Sequence, residues 1–461
     1  MLALLMMLLP AAQAPNPLGI WQGPIGAGGV ELTLAFTIAD KDGKRTATMA
    51  VPEQGAKSLP CAEPKLDGDK LTLDVPVVAG KFVGKFAKDG KSIVGTWFQA
   101  GREFPLTLES VDRLLELKRP QLPKGPFPYS AEDVSFENTD AKVTLAGTLT
   151  LPPGDGPFTA VVLVSGSGPQ DRDETLFNHK PFLVIADALS RRGIAVLRYD
   201  DRGVGKSKGK FAGCTSEDFA ADATAGVRFL AKHAKIDPKK IGIVGHSEGG
   251  LIAPLIAAKL PDEVAFIVLL AGPGLPGRDI LLRQSADIHK ASGGKPEEIE
   301  LVSAMMKYIY DAATTDTPEK ERRARIAFFI DDYRRRLPAA MLKELKFDDE
   351  KARDAFADTV LDPWMNAFIR FDPRPTLMQV KCPVLALNGG VDLQVSPKEN
   401  LAAIRTALEA GGNKAVTTEE LPKLNHLFQP SETGKVSEYG RIETTFDAAA
   451  LKLLSDWIAK R

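Results

Sequence analysis

The sequence predicts an α/β fold, a mostly parallel sheet with crossover helices and a helical insertion, preceded by a small all-β domain. Over residues 131–461, short β-branched runs alternate with helical patterns, which is typical of parallel strands joined by crossover helices. Residues 17–112 instead alternate short strand patterns with turn signals, which is typical of antiparallel β structure. A chain of 461 residues is long enough to hold both units.

In the N-terminal unit, turn signals of the Asp-Gly type separate the apolar, strand-like runs. Trp21 and Trp97 stand near its two ends, and we expect both to pack in its core, with ligand binding as the alternative. The pattern favours an antiparallel meander or small barrel with strands at 30–38, 45–51, 70–75, 82–86 and 93–98.

A proline-rich stretch, residues 113–130, is predicted to be an extended linker to the larger unit. That unit should begin with two antiparallel strands, at 134–136 and 143–149. The predicted strands that follow lie at 160–164, 194–199, 241–245, 264–270, 383–388 and 415–421.

The last long gap between strands, at about 277–370, has apolar residues at helical spacing and is predicted to be a helical cap. A cap in this position would exclude water and line a substrate pocket. Four residues at its end are candidates for the pocket wall, with packing of the cap onto the core as the alternative: Trp364, Met365, Phe368 and Phe371.

A glycine-serine motif marks the predicted nucleophile. The strand-like run Ile241–Val244 leads directly into Gly-His-Ser-Glu-Gly, residues 245–249, and an apolar helical pattern follows. A serine on a sharp strand-to-helix turn projects its hydroxyl clear of the backbone, and glycines allow strand and helix to approach closely. Ser247 is therefore the predicted nucleophile.

A serine nucleophile needs a base to take its proton and an acid to hold that base. In known enzymes that carry the nucleophile on such a turn, the acid and then the base follow the serine along the chain. Of the five histidines, only His426 lies on a loop after a late strand, and it is the predicted base. Asp392 follows the buried-strand pattern at 383–388 through a Gly-Gly turn and is the predicted acid.

Acyl transfer also needs two N–H donors for the negative charge that develops on the carbonyl oxygen. The N–H of Glu248 is one, because it directly follows the nucleophile. We assign the second to Ser167, in the glycine-containing loop after the strand at 160–164. The acidic cluster of residues 171–174 is expected to order this loop through ion pairs.

These motifs resemble those of bacterial α/β-hydrolases of the serine-aminopeptidase-like group, which are mostly esterases or acyl hydrolases. The resemblance covers roughly residues 130–461 and rests on the segments 165–173, 198–207, 245–249, 390–392 and 425–426. It implies an α/β-hydrolase fold in which Ser247, Asp392 and His426 are the nucleophile, acid and base. The loop opens with Ser165, where many members have histidine, so the resemblance leaves the second oxyanion donor open.

Composition narrows the function further. A net charge of −1 argues against a basic nucleic-acid surface, and the three cysteines are too few and too far apart for a disulfide framework. We expect no metal and no cofactor, since no His/Cys cluster has ligand spacing. Residues 1–14 are apolar, are too short to span a bilayer and end in Ala-Gln-Ala. This pattern predicts a signal peptide, and therefore a secreted or periplasmic protein. The segment lacks the Lys or Arg that signal peptides usually carry at their start.

The sequence therefore predicts a serine carboxylesterase acting on a small-molecule ester, with no nucleic-acid partner and no membrane span. A serine peptidase of the aminopeptidase or prolyl type is the alternative, as is a thioesterase or lactonase, because the same triad serves all acyl transfers. A non-enzymatic alternative is ligand binding through the β domain. The oligomeric state stays open at this stage.

Overall fold

The structure is a computed structural model, and it describes residues 15–27, 30–338, 342, 345, 347 and 349–461. The predicted signal peptide, residues 1–14, lies outside the described residues. The chain divides into two compact units. One contains the described residues up to Lys118 together with residues 176–178 and 436–443, and the other contains the rest.

The N-terminal sheet is antiparallel throughout. Its strand order is β4-β3-β2-β1-β9-β8-β7-β6-β5. Adjacent strands are consecutive in the chain except β1 and β9, and β4 and β5 form the two edges. Trp21 and Trp97 are both buried in its core beside Phe36 and Phe82. The nine strands are β1 Gly19–Ala27, β2 Val30–Lys41, β3 Lys44–Val51, β4 Ala56–Pro60, β5 Lys65–Asp67, β6 Lys70–Val75, β7 Gly80–Phe86, β8 Ser92–Gln99 and β9 Arg102–Val111.

The second unit is built on an eight-stranded sheet of order β10-β11-β13-β12-β14-β15-β16-β17. The first pairings, β10 with β11 and β11 with β13, are antiparallel, and all the others are parallel. This is the mostly parallel sheet predicted from the alternating pattern, and the predicted fold class is confirmed. The strands are β10 Ser130–Asn138, β11 Val143–Leu151, β12 Phe158–Val164, β13 Ile194–Tyr199, β14 Ile236–His246, β15 Phe266–Leu270, β16 Val384–Gly389 and β17 Val416–Leu421.

Helices cover both faces of this sheet, because its inner strands are buried on both sides. The helices in chain order are α1 Pro181–Ser190, α2 Ser216–Ala231, α3 Glu248–Lys259, α4 Gly277–Ala291, α5 Pro296–Ala313, α6 Glu319–Arg334, α7 Glu350–Leu361, α8 Pro363–Arg370, α9 Arg374–Leu377, α10 Pro397–Ala410, α11 Val436–Tyr439 and α12 Ala448–Ile458. One face packs against α2, α3 and α10, and the other packs against α1 and α12.

The segment between β15 and β16 is helical, as its apolar spacing predicts. It carries α4 to α9 and has its own apolar core, in which Met305, Ile309, Ile326 and Ile330 are buried. In the part of the chain that the structure describes, no helix is both long and apolar enough to cross a membrane.

Candidate active site

The turn between β14 and α3 carries Ser247 in a strained conformation. Its φ of 53° and ψ of −115° lie outside the regions that residues other than glycine prefer. A Cβ at position 245 would lie 1.9 Å from the carbonyl oxygen of Gly249, and one at position 249 would lie 2.1 Å from that of Val164. Both flanking glycines are therefore required by close backbone approach, as a nucleophile elbow demands.

The predicted acid and base meet on neighbouring loops. Asp392 follows β16, and its Oδ1 accepts hydrogen bonds from the N–H groups of Gln394 at 2.7 Å and Val395 at 3.0 Å. Its Oδ2 lies 2.8 Å from Nδ1 of His426, and both side chains are buried. This contact directs Nδ1–H toward the carboxylate and leaves Nε2 as the nitrogen that can exchange a proton with a hydroxyl.

The loop that carries His426 is rigidly hydrogen-bonded. The fully buried Asn425 accepts hydrogen bonds on Oδ1 from the N–H groups of Leu427 and Gln429, each at 3.0 Å. Its side-chain amide also donates to Gln429 Oε1 at 3.0 Å. These contacts fix the backbone on the C-terminal side of His426, so the imidazole is held in place against Asp392.

The loop after β12 carries the predicted second oxyanion donor. The N–H of Gly166 donates to Glu174 Oε1 at 2.8 Å, so it is already engaged. Among the described residues, the N–H of Ser167 has no hydrogen-bond partner, which leaves it available. The N–H of Glu248, at the first position of α3, has no intrahelical acceptor either. Two donors of the kind that an oxyanion requires thus come from the predicted residues.

Part of the second unit matches a known protein family. Residues 180–292 match the family model described as serine aminopeptidase, S33, and this segment contains Ser247 but neither Asp392 nor His426. The chain has the α/β-hydrolase fold that the motifs imply. The resemblance to the serine-aminopeptidase-like group that the motifs indicate is confirmed.

The chain is 28% identical to Esterase EstD of Thermotoga maritima over 307 residues, which cover 66% of this chain and 63% of the relative. The chain therefore spans less than two thirds of that relative's length. Among solved structures it is similar to the Pyrococcus furiosus esterase Pf2001, with 17% identity, coverage of 72% of this chain and 93% of that one, and a TM-score of 0.41. It is also similar to the hypothetical protein PA2218 from Pseudomonas aeruginosa, with 14% identity, coverage of 74% and 96%, and a TM-score of 0.44.

The side chain of Glu248 is buried beside Ser247. Its Oε1 accepts hydrogen bonds from the Ser216 hydroxyl at 2.6 Å and the Trp364 indole N–H at 2.8 Å, and the Ser167 side chain also bonds to the carboxylate. Burial raises the pKa of Glu248, and these three donors oppose the rise. The carboxylate therefore connects α3, α2, the oxyanion loop and the end of the cap.

The four predicted pocket residues separate into different environments. Phe368 is buried in the core of the sheet domain, and Trp364 stacks on it with ring centroids 5.6 Å apart. Phe371 is partly buried against the same core, whereas Met365 packs against the apolar core of the cap. Packing thus accounts for Phe368 and Met365, and Trp364 is the member of the set that reaches a residue of the elbow.

The acidic cluster after the oxyanion loop forms the expected ion pairs. Arg172 makes a two-pronged contact with the buried Asp200, at 3.0 and 2.8 Å, and Asp173 pairs with Lys180 at 3.0 Å and with Arg198. These contacts hold the segment that follows the loop.

Two further residues were missed by the sequence analysis. Glu174 turns toward the elbow and contacts His246, and His246 in turn contacts the loop of His426. The acidic cluster and the histidine of the motif were both visible in the sequence, but no sequence signal joined them.

Proposed function

We propose that the chain is a serine hydrolase that cleaves small-molecule carboxylic esters through an acyl-enzyme intermediate. The observation that carries the proposal is the 2.8 Å contact between Asp392 and His426, formed beside a strained elbow that presents Ser247. The unengaged N–H groups of Glu248 and Ser167 add the electrostatic component that acyl transfer requires.

In the proposed reaction, the hydroxyl of Ser247 attacks the ester carbonyl while Nε2 of His426 takes its proton. Asp392 stabilises the resulting imidazolium, and the N–H groups of Glu248 and Ser167 bind the oxyanion. The tetrahedral intermediate then expels the alcohol, which leaves with the proton from His426. Water, deprotonated by the same imidazole, attacks the acyl group and releases the carboxylic acid, so ester and water give alcohol and acid.

The engagement of the nearby acids supports an ester rather than the substrate of an aminopeptidase. An aminopeptidase needs a free carboxylate to bind the positively charged amine of its substrate. Glu248 is only 3% exposed and already accepts hydrogen bonds from Ser216 and Trp364. Asp171 accepts hydrogen bonds from its own loop, and Asp173 is paired with two basic side chains.

The name of the Thermotoga maritima relative, an esterase, also supports the proposal. Thioesters and lactones present the same carbonyl chemistry to the triad, so they belong in the same assay.

The test is hydrolysis of p-nitrophenyl esters of increasing acyl length, beside a thioester, a lactone and aminoacyl p-nitroanilides. The wild type is compared with Ser247→Ala and with Ser292→Ala, which makes the same change at an exposed serine at the end of α4. Ester turnover that is lost only in Ser247→Ala, with the anilides uncleaved, supports the proposal. Anilide cleavage that depends on Ser247 would make the protein a peptidase, and ester turnover that survives in Ser247→Ala would refute the assigned nucleophile.

A further inference from the structure

The side chain of His246, which precedes the proposed nucleophile, is buried and lies between two oxygen acceptors. Its Nδ1 lies 2.8 Å from Oε1 of Glu174, and its Nε2 lies 3.0 Å from the backbone carbonyl oxygen of His426. Apolar side chains surround the contact, among them Phe182, Leu270 and Phe428. A charge placed here is shielded from water and interacts strongly with its partner.

The hydrogen-bond chemistry of this arrangement assigns a proton to each ring nitrogen. A carbonyl oxygen only accepts, so Nε2 must carry a proton to bond to His426. Oε1 of Glu174 also accepts the N–H of Gly166 at 2.8 Å, which fits an ionised carboxylate that accepts from Nδ1–H as well. With an ionised Glu174, a neutral imidazole, which has a single donor, cannot make both bonds.

The charges around His246 agree with this assignment. Burial alone would lower the pKa of His246, but the adjacent Glu174 and the carbonyl of His426 outweigh burial, and the pKa is raised above its ordinary value. The titratable groups that face the ring are Glu174, Asp392 and the imidazole of His426, whose centroid is 4.9 Å away.

We propose that His246 and Glu174 form a buried ion pair that positions the oxyanion loop and the loop of the base against the nucleophile elbow. At one end, Glu174 holds Gly166, the neighbour of the proposed donor Ser167. At the other end, His246 holds the backbone of His426. Both are positioning residues, and their effect on turnover rests on the proposed function.

The elbow and the oxyanion loop are close enough for small displacements to matter. A Cβ at position 166 would lie 3.1 Å from Cβ of Ser247 and 3.5 Å from Nδ1 of His246. Loss of the ion pair would let both loops shift by a fraction of an ångström, while Ser247, Asp392 and the end of the cap keep their own contacts. A misplacement of about 1 Å can lower catalysis about 100-fold, which sets the upper limit for this change.

The decisive variant is Glu174→Gln. Glutamine is uncharged and does not stabilise a second proton on His246, so Nδ1 becomes an acceptor. The amide oxygen can still accept from Gly166 but cannot donate to Nδ1, so one of the two links is lost without loss of volume. We expect kcat to fall on the order of 10- to 100-fold with KM nearly unchanged. The matched control is Asp171→Asn, which removes a carboxylate charge from the same loop but keeps the Oδ1 atom that accepts hydrogen bonds from Asp173 and Thr175.

A second readout does not depend on activity. Nitrogen-15 NMR of labelled histidine reports the protonation of each ring nitrogen, and His246 is identified by its loss in His246→Gln. We expect both nitrogens of His246 to be protonated in the wild type at pH 7.5, and one in Glu174→Gln. A neutral His246 in the wild type would overturn the ion pair, and an unchanged kcat in a folded Glu174→Gln would overturn its positioning role.

The two proposals fail in different ways. Absence of ester turnover in the wild type would refute the proposed function, while the NMR measurement would still decide whether the ion pair exists. If Glu174→Gln fails to fold, the wild-type spectrum alone decides the ion pair, and Glu174→Asp, which keeps the charge but shortens its reach, supplies the kinetic comparison.

Discussion

The hydrogen bond between the Trp364 indole and Glu248 connects the end of the cap to the Ser247 turn. Trp364→Phe removes this bond together with one ring of the indole. Phenylalanine keeps an aromatic ring that can stack on Phe368, but it lacks the N–H that lies 2.8 Å from Oε1 of Glu248. A hydrogen bond to a buried charged group contributes about 1.5–3 kcal/mol. We therefore expect the free energy of unfolding to fall by about 2 kcal/mol at pH 8.

The pH dependence of this loss has a definite sign. Burial raises the pKa of Glu248 in the folded protein. The protonated form therefore stabilises the fold fully at pH values below the pKa of the unfolded chain, and this stability is lost as the pH rises through the pKa of the folded protein. The indole donor favours the charged form and opposes that rise. Its removal should therefore cost less at pH 5 than at pH 8.

Urea unfolding at both pH values measures the effect, with Trp457→Phe as the matched control. Trp457 is also partly buried and packs against an aromatic ring, that of Phe266. Its indole N–H, however, has no hydrogen-bond partner in the described part of the chain. Equal losses in the two variants, or a loss in Trp364→Phe that does not grow with pH, would refute the reasoning.

Three further changes have defined outcomes. Gly249→Ala places a Cβ 2.1 Å from the Val164 carbonyl oxygen and should lower the unfolding free energy by about 1–3 kcal/mol or prevent folding; a thermal midpoint equal to that of the wild type would contradict this. Burial raises the pKa of Asp201 to about 7, so its protonated form stabilises the fold below the ordinary pKa of about 4, and this stability is lost as pH rises through about 7. The free energy of unfolding of Asp201→Asn, relative to that of the wild type, should therefore rise by up to about 4 kcal/mol between pH 4 and pH 8. Urea unfolding measures this difference, and a difference that stays constant with pH would contradict the prediction. Asp392→Asn should lower kcat on ester substrates about 10⁴-fold with KM nearly unchanged, and a loss below about tenfold would argue against its role.

Local patterns explain why much of the site could be predicted from the sequence. The turn at Ser247 can be recognised in the sequence because both of its glycines are needed. Position 245 has no room for a side chain against Gly249, and position 249 has none against the adjacent strand. Asp392 and His426 are visible because each follows a predicted strand, and the ends of parallel strands meet at one edge of the sheet.

Contacts that depend on loop conformation were not visible. Glu174 lies 72 positions from its partner His246, and it faces the elbow because its backbone adopts a φ of 52°, which no local pattern predicts. The neighbouring acids of the same cluster face other partners, so the sequence could indicate ion pairs there but could not assign them.

The N-terminal sheet shows the same limit for strands. β1 was not predicted because Gly23, Pro24 and Gly26 interrupt its apolar pattern. A Cβ at position 23 would lie 1.9 Å from the carbonyl oxygen of Thr107, so this glycine permits the close approach of β9. A residue selected for contact with a distant strand weakens the local signal of its own strand.

Covalent labelling by an organophosphate ester tests the central claim most directly, because such reagents phosphorylate a serine that an adjacent imidazole activates. Intact-protein mass spectrometry and peptide mapping should find one adduct, on Ser247, that is absent in Ser247→Ala and forms much more slowly in His426→Ala. An adduct on another residue, or ester turnover that continues without any adduct, would contradict the account.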